Sequence, residues 1–205
     1  MVTTADIEKL FKQYLEKGQF ECADALYLCV KLGRDRASQT LWLRYHSAAS
    51  LTVALEDVRL LGINDPGDYD LRVEDSKMRV SDVITAVYEN LCLDELFRRV
   101  REHLKGLSSL SKALLYLVLR LGEQDFERLY EYNLLPRLCD FIFQLRVDSR
   151  AIKRAVEELV ACYILQHPEH HSLFPDFFDK LVESLRPELE TCLPKIEVRV
   201  VWPSA

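Results

Sequence analysis

The residues with the most chemical potential stand late in the chain. His167-Pro168-Glu169-His170-His171 is the single stretch where candidate metal ligands cluster. Imidazole nitrogens from His167 and from His170 or His171, closed by Cys162 or Glu169, have the donor types of a tetrahedral zinc site. The plainer reading is a polar turn between two helices, with Pro168 ending the first of them, and it is preferred here. The HExxH pattern that zinc hydrolases carry on one helix is absent from the sequence. A second cluster, Asp65, Asp68, Asp70, Glu74 and Asp75, is rich in carboxylates. Gly67 and Tyr69 fall where a calcium loop needs oxygen donors, so a solvated acidic loop is expected. Cys92 and Cys139 are candidate nucleophiles, but no base or cation accompanies either one, and buried thiols acting as small hydrophobes are the default. No glycine-rich phosphate loop and no nucleophile elbow can be written anywhere in the sequence. The expectation is a chain without catalytic residues, metal or cofactor.

Two features point instead to binding. Arg98, Arg99, Arg101 and Lys105 give one helix a basic end. Such an end can meet an acidic partner, although complementing the helix dipole on a solvated face explains it more simply. At the C-terminus, Lys195 to Trp202 alternates, with Ile196, Val198, Val200 and Trp202 sharing one face of a strand. A lone strand has unpaired edges. It pairs either with an extended segment near Leu71–Val80 or with another protein by strand addition. Trp42 and Tyr45, beside His46, lie at helical spacing and are expected in the core rather than on a binding face.

Composition narrows the class. Of 205 residues, 49% are hydrophobic and 29% charged, which is globular rather than disordered. Six Gly and seven Pro leave few sharp turns, which favours helices over hairpins. A net charge of −6 weighs against nucleic-acid binding. The start of the chain carries no leader pattern, no apolar run is long enough to span a bilayer, and none of the six cysteines forms a CxxC pair. A reducing intracellular compartment, cytoplasmic or nuclear, is the expectation.

The elements that must position these residues follow from periodicity. Thr4 caps a first helix with Ile7, Leu10, Phe11, Tyr14 and Leu15 on one face, ended by Gly18. A second carries Phe20, Ala23, Tyr27 and Val30 and closes at Gly33. Further helices are predicted over about 37–49 and 51–61. Asn64 to Asp70 is rich in turn residues and marks the best internal boundary. An extended or two-stranded element is expected over about 69–80. Then come helices over about 83–91, from Asp94 to about 105, and over 111–121, 125–130, 134–144, 149–166 and 173–186. The domain reading is N-terminal hairpins over 1–63, a connector over 64–80, a C-terminal helical region over 81–194 and a strand or tail over 195–205, together forming one unit. The fold class is mainly α, as stacked antiparallel hairpins or an irregular bundle, with the two small extended elements.

Gly18, Phe20 and Ala23 in Tyr14-Leu15-Glu16-Lys17-Gly18-Gln19-Phe20-Glu21-Cys22-Ala23 resemble the turn of a tetratricopeptide repeat, and Ala54 to Pro66 resembles the close of a second unit. The family's tryptophan is missing, with Ile7 and Phe11 at the first-helix positions. Ala113 to Leu138 is similar to the later part of an armadillo or HEAT repeat, echoed over 155–182. Ala113, Leu117, Val118 and Leu121 recur as Ala155, Leu159, Val160 and Tyr163 at a period of about 40 residues. These resemblances imply stacked helices offering a groove. The expected function is a non-catalytic adaptor or scaffold subunit that binds another protein in that groove or at the C-terminal strand. The alternatives are a death-fold-like signalling module, suggested by Val83 to Leu104, and an enzyme with an unfamiliar site near His167–His171.

Overall fold

The computed structural model describes residues 1–169 and 172–194, and among them every regular element is a helix. Helix α1 (Thr4–Glu16) is capped one residue earlier than expected. The Thr3 hydroxyl accepts from the Asp6 N–H, and the Asp6 carboxylate accepts from the Thr3 N–H, a reciprocal capping box. Its face of Ile7, Leu10, Phe11 and Tyr14 is buried as the spacing predicts. Helix α2 (Phe20–Leu32) is buried on nearly all sides, and it is the axle around which α3 (Arg34–Tyr45), α4 (Ala49–Leu60) and α5 (Val80–Leu104) pack.

Helix α5 corrects the sequence reading, which divided it in two near Asp94. It runs unbroken for 25 residues. No glycine or proline interrupts it, and Val83, Val87, Cys92, Leu96 and Val100 keep one buried stripe through the acidic pair. The segment before it was expected to be extended or two-stranded. Among the described residues it holds a single antiparallel bridge between Arg72 and Arg79, and no strand. The Val80 N–H donates to the Leu71 carbonyl at 3.1 Å and closes the loop. The C-terminal strand expected at about 195–202, with Ile196, Val198, Val200 and Trp202, lies outside the described residues.

The second half is built of shorter pieces: α6 (Ser109–Leu121), α7 (Glu123–Glu131), α8 (Leu135–Phe143), α9 (Ser149–Ala161), α10 (Phe178–Ser184) and α11 (Arg186–Cys192). Helix α9 stops at Ala161, short of the 166 expected, because Tyr163 takes a left-handed backbone (φ 63°). The last predicted helix, over 173–186, starts later and divides at Leu185 into α10 and α11, with Pro187 in the first turn of α11. Gly33 and Gly122 make matching corners. Each has φ 79°, and each is at once the C-cap of one helix and the N-cap of the next, so the chain turns within one residue. Helices α6 and α9, which carry the echoed residues, pack on each other, and Ala113, Leu117, Val118, Ala155, Leu159 and Val160 are all buried. The echo stops there: Glu123–Glu131 is helical, whereas the described residues that follow α9, before Phe178, are irregular. One hydrophobic cluster runs from Val2 to Leu189 through both halves.

Candidate functional site

The most concentrated polar chemistry lies inside the protein. Asp24 is fully buried in the middle of the apolar helix α2. A buried carboxylate needs a cation and donors. Arg44 of α3 supplies the cation, its Nη1 lying 3.1 and 3.0 Å from the two Asp24 oxygens. The Tyr45 and Tyr88 hydroxyls donate to the same carboxylate at 2.9 and 3.2 Å. The rest of the guanidinium reaches across the molecule. Its Nε donates to the Val160 carbonyl at 3.0 Å, its Nη2 donates to the Leu165 carbonyl at 3.2 Å, and its Cζ stands 4.7 Å from the centre of the Tyr163 ring. Burial opposes the charge on Arg44 most strongly, but Asp24 together with Tyr45, Tyr163 and Tyr88 outweighs it, so its pKa is raised. Burial, reinforced by Asp24, pushes the Tyr45 and Tyr88 hydroxyls well above their ordinary value, so both remain donors. With Asp24, Tyr88, Tyr163 and the guanidinium closed off from solvent, this network braces α2, α3 and α5 to the end of α9. The sequence reading missed it, though one signal was present: an aspartate inside Cys22-Ala23-Asp24-Ala25-Leu26 has no solvated face to occupy.

The candidate chemical groups are otherwise quiet. Cys92 and Cys139 are buried, and burial pushes their thiols up to about 12 and about 11, away from thiolate chemistry. His167 is buried as well. Its Nδ1 accepts the Glu169 N–H at 3.0 Å, and its Nε2 faces Gln39 Oε1 at 3.1 Å. Glu169 pairs with Lys153 at 2.5 Å. No group of three metal donors converges among the described residues, and His170 and His171 lie outside them. The acidic loop turns on itself, with Asp65 and Asp68 accepting from the backbone N–H groups of Gly67 and Asp70.

The three arginines singled out for partner binding are each engaged within the chain. Arg98 pairs with Glu95 at 2.7 Å and with Glu102, Arg99 pairs with Glu95 at 2.8 Å while covering the Phe20 ring, and Arg101 pairs with Glu188 at 2.9 Å. Arg98 and Arg101 keep part of their side chains in solvent, and Arg99 is mostly covered.

Two surfaces stand out as open, and the sequence reading anticipated neither. The first corrects the placement of Trp42 in the core: its ring is 61% exposed, while Tyr45 turns inward to Asp24. Trp42 stands over a hollow of about 580 Å³ between α3 and α9. The second is helix α8. Leu135 and Cys139 face the core with Leu138 and Ile142 packed beside them, whereas Phe141, and Leu134 seven residues before it, are exposed on the other side. Phe141 is 87% exposed, and Tyr132 just before the helix is 73% exposed.

The chain matches no family model, no curated protein and no solved structure. No helix among the described residues is long and apolar enough to cross a membrane.

Proposed function

We propose that this chain is a non-catalytic protein-interaction subunit, an adaptor or scaffold whose stacked helices present the α7–α8 edge to another protein. The observation that carries this reading is the outward apolar face of α8. Burying an aromatic side chain of the size of Phe141 contributes about 2 kcal/mol to an association, and Leu134, seven residues earlier, falls on the same side. Arg137, exposed one turn before Phe141, would contribute to the polar rim of such an interface. The chemistry of the remaining groups supports binding over catalysis. The strongest polar cluster is sealed, and the thiols most suited to attack are held protonated by burial.

The test is co-purification from the native host, comparing the parent with Phe141→Asp, and using Arg154→Glu on the exposed side of α9 as a control for surface charge. The reading expects a stoichiometric partner with the parent and the control, and its loss with Phe141→Asp while the circular dichroism stays unchanged. A partner retained at full stoichiometry by Phe141→Asp would remove α8 as the docking face.

A further inference from the structure

We infer that the hollow beneath Trp42 continues into a groove that takes a basic, extended peptide segment of a partner. This is a second surface, distinct from the apolar face of α8, and the inference stands on its own geometry. The hollow under Trp42 adjoins another of about 450 Å³ beside Tyr130, at the end of α7. The Lys153–Glu169 ion pair lines both and is their common wall. Together they trace a path across α9 with an aromatic ring at each end, Trp42 and Tyr130.

Charge selects the occupant. The path is lined by three carboxylates, Glu131, Glu157 and Glu169, and by one ammonium, Lys153. Lys153 is taken up by Glu169, whereas Glu131 and Glu157 form no ion pair among the described residues. Two negative charges are left to meet cations on whatever lies there, and an acidic segment would be repelled. The ring of Trp42 suits the same chemistry. A guanidinium or ammonium is attracted to the face of an indole more strongly than to other side-chain rings. This fold stacks arginine on aromatic rings four times within itself, as Arg44 on Tyr163, Arg79 on Tyr69, Arg99 on Phe20 and Arg120 on Tyr116. Among the described residues, no cation stands over Trp42.

The groove is held ready. Trp42 lies two residues from Arg44, which ties this turn of α3 to the Val160 and Leu165 carbonyls at the end of α9. Gln39, one turn before Leu43, is fixed by His167. The Tyr130 hydroxyl donates to the Pro168 carbonyl at 2.8 Å and fixes the far end. A site whose walls are already ordered spends little of its binding energy on ordering them.

The test uses the fluorescence of Trp42 itself. The chain has two tryptophans, so Trp202→Phe leaves Trp42 as the only one. The probe is a short peptide of alternating arginine and leucine, with its glutamate-and-leucine counterpart as the comparison. The expected result is a saturable change in Trp42 emission with the basic peptide alone. Salt and the double change Glu131→Gln with Glu157→Gln each weaken it on the order of tenfold. Titration calorimetry on Trp42→Ala, with circular dichroism to show an intact fold, gives the second reading, and binding is expected to be lost. The inference is overturned if the basic peptide produces no saturable change, if both peptides bind equally, or if the double glutamine variant binds like the parent. It is also overturned if the emission shifts with protein concentration alone, which would make a second copy of the chain the occupant. Phe141→Asp is expected to leave peptide binding unchanged, so failure at the groove and failure at α8 are separate results.

Discussion

Helices α2 and α8 have similar compositions and opposite fates. In α2, ten of thirteen residues are buried; in α8 only Leu135 and Cys139 of nine are. Yet α8 reads Leu-Pro-Arg-Leu-Cys-Asp-Phe-Ile-Phe, two-thirds of it apolar, not far from α2. Hydrophobic sequence alone therefore does not decide burial. What surrounds α2 is complete: α1, α3, α4 and α5 close around it, and its one buried charge, Asp24, is answered by Arg44. Helix α8 rests on α6 and α9 by one face only. A large apolar ring left in water, such as that of Phe141, adds little to the folded state, and it is this ring that the proposed docking face rests on. The sealed helix holds the fold, and the open one is offered outward.

The sharpest way to break this contrast is at the buried charge. Asp24→Leu is expected to cost about 3–5 kcal/mol, because it leaves the Arg44 guanidinium buried without its counter-ion. Adding Arg44→Met in the same chain is expected to recover part of that loss, giving a coupling of at least about 1 kcal/mol between the two sites in urea unfolding. Costs that simply add would show that the pair does not act as a unit. Next in size is a direct comparison of the two helices. Leu28→Ala in α2 is expected to cost about 2–5 kcal/mol through the cavity it opens, whereas Phe141→Ala in α8 should remain within about 0.5 kcal/mol of the parent in the isolated chain. Equal losses at the two positions, read from chemical denaturation, would mean that α8 is structurally no more open than α2.

The smallest effect concerns Glu95. Hydrogen bonds from Arg98 first, and from Arg99 after it, outweigh partial burial and hold its carboxyl down to about 2. Its unfolded value is near 4.3. A carboxyl whose folded pKa is lowered stabilises fully above the unfolded value, and loses that stabilisation as pH falls from there through about 2. Glu95→Gln is therefore expected to cost at most about 1 kcal/mol at neutral pH, since the pairs are partly solvated. The difference from the parent should shrink as pH falls from about 4.3 and vanish below about pH 2. A difference that stays constant with pH would assign the effect of Glu95 to packing rather than charge.

How much of this was legible in the sequence depends on how local the cause is. The ends of α2 and α6 follow from Gly33 and Gly122, whose positive φ leaves little choice. The buried faces of α1 and α9 follow from spacing within one helix. The continuity of α5 was hidden because Asp94 and Glu95 look like a helix start, and only the absence of a breaker nearby argues otherwise. The Asp24–Arg44 pairing depends on α2 and α3 lying side by side, and the reach of Arg44 to Val160 and Leu165 spans more than a hundred residues. Trp42 was misplaced for the same reason: Leu41 and Arg44 claim the inner face of α3, which turns its neighbour outward. The open face of α8 is visible only after the face opposite it has been filled by Leu135 and Cys139.

The most direct measurement of the account is site-specific cross-linking in the native host. Photo-reactive benzoylphenylalanine is placed at position 141 in one sample and at position 154, on the exposed polar side of α9, in another. If the α8 face docks a partner, position 141 gives one dominant cross-linked protein, and position 154 gives none or a diffuse background. If both positions give the same diffuse background while the protein is folded, the open face of α8 is not a docking surface, and the contrast between the sealed and the open helix has no functional meaning.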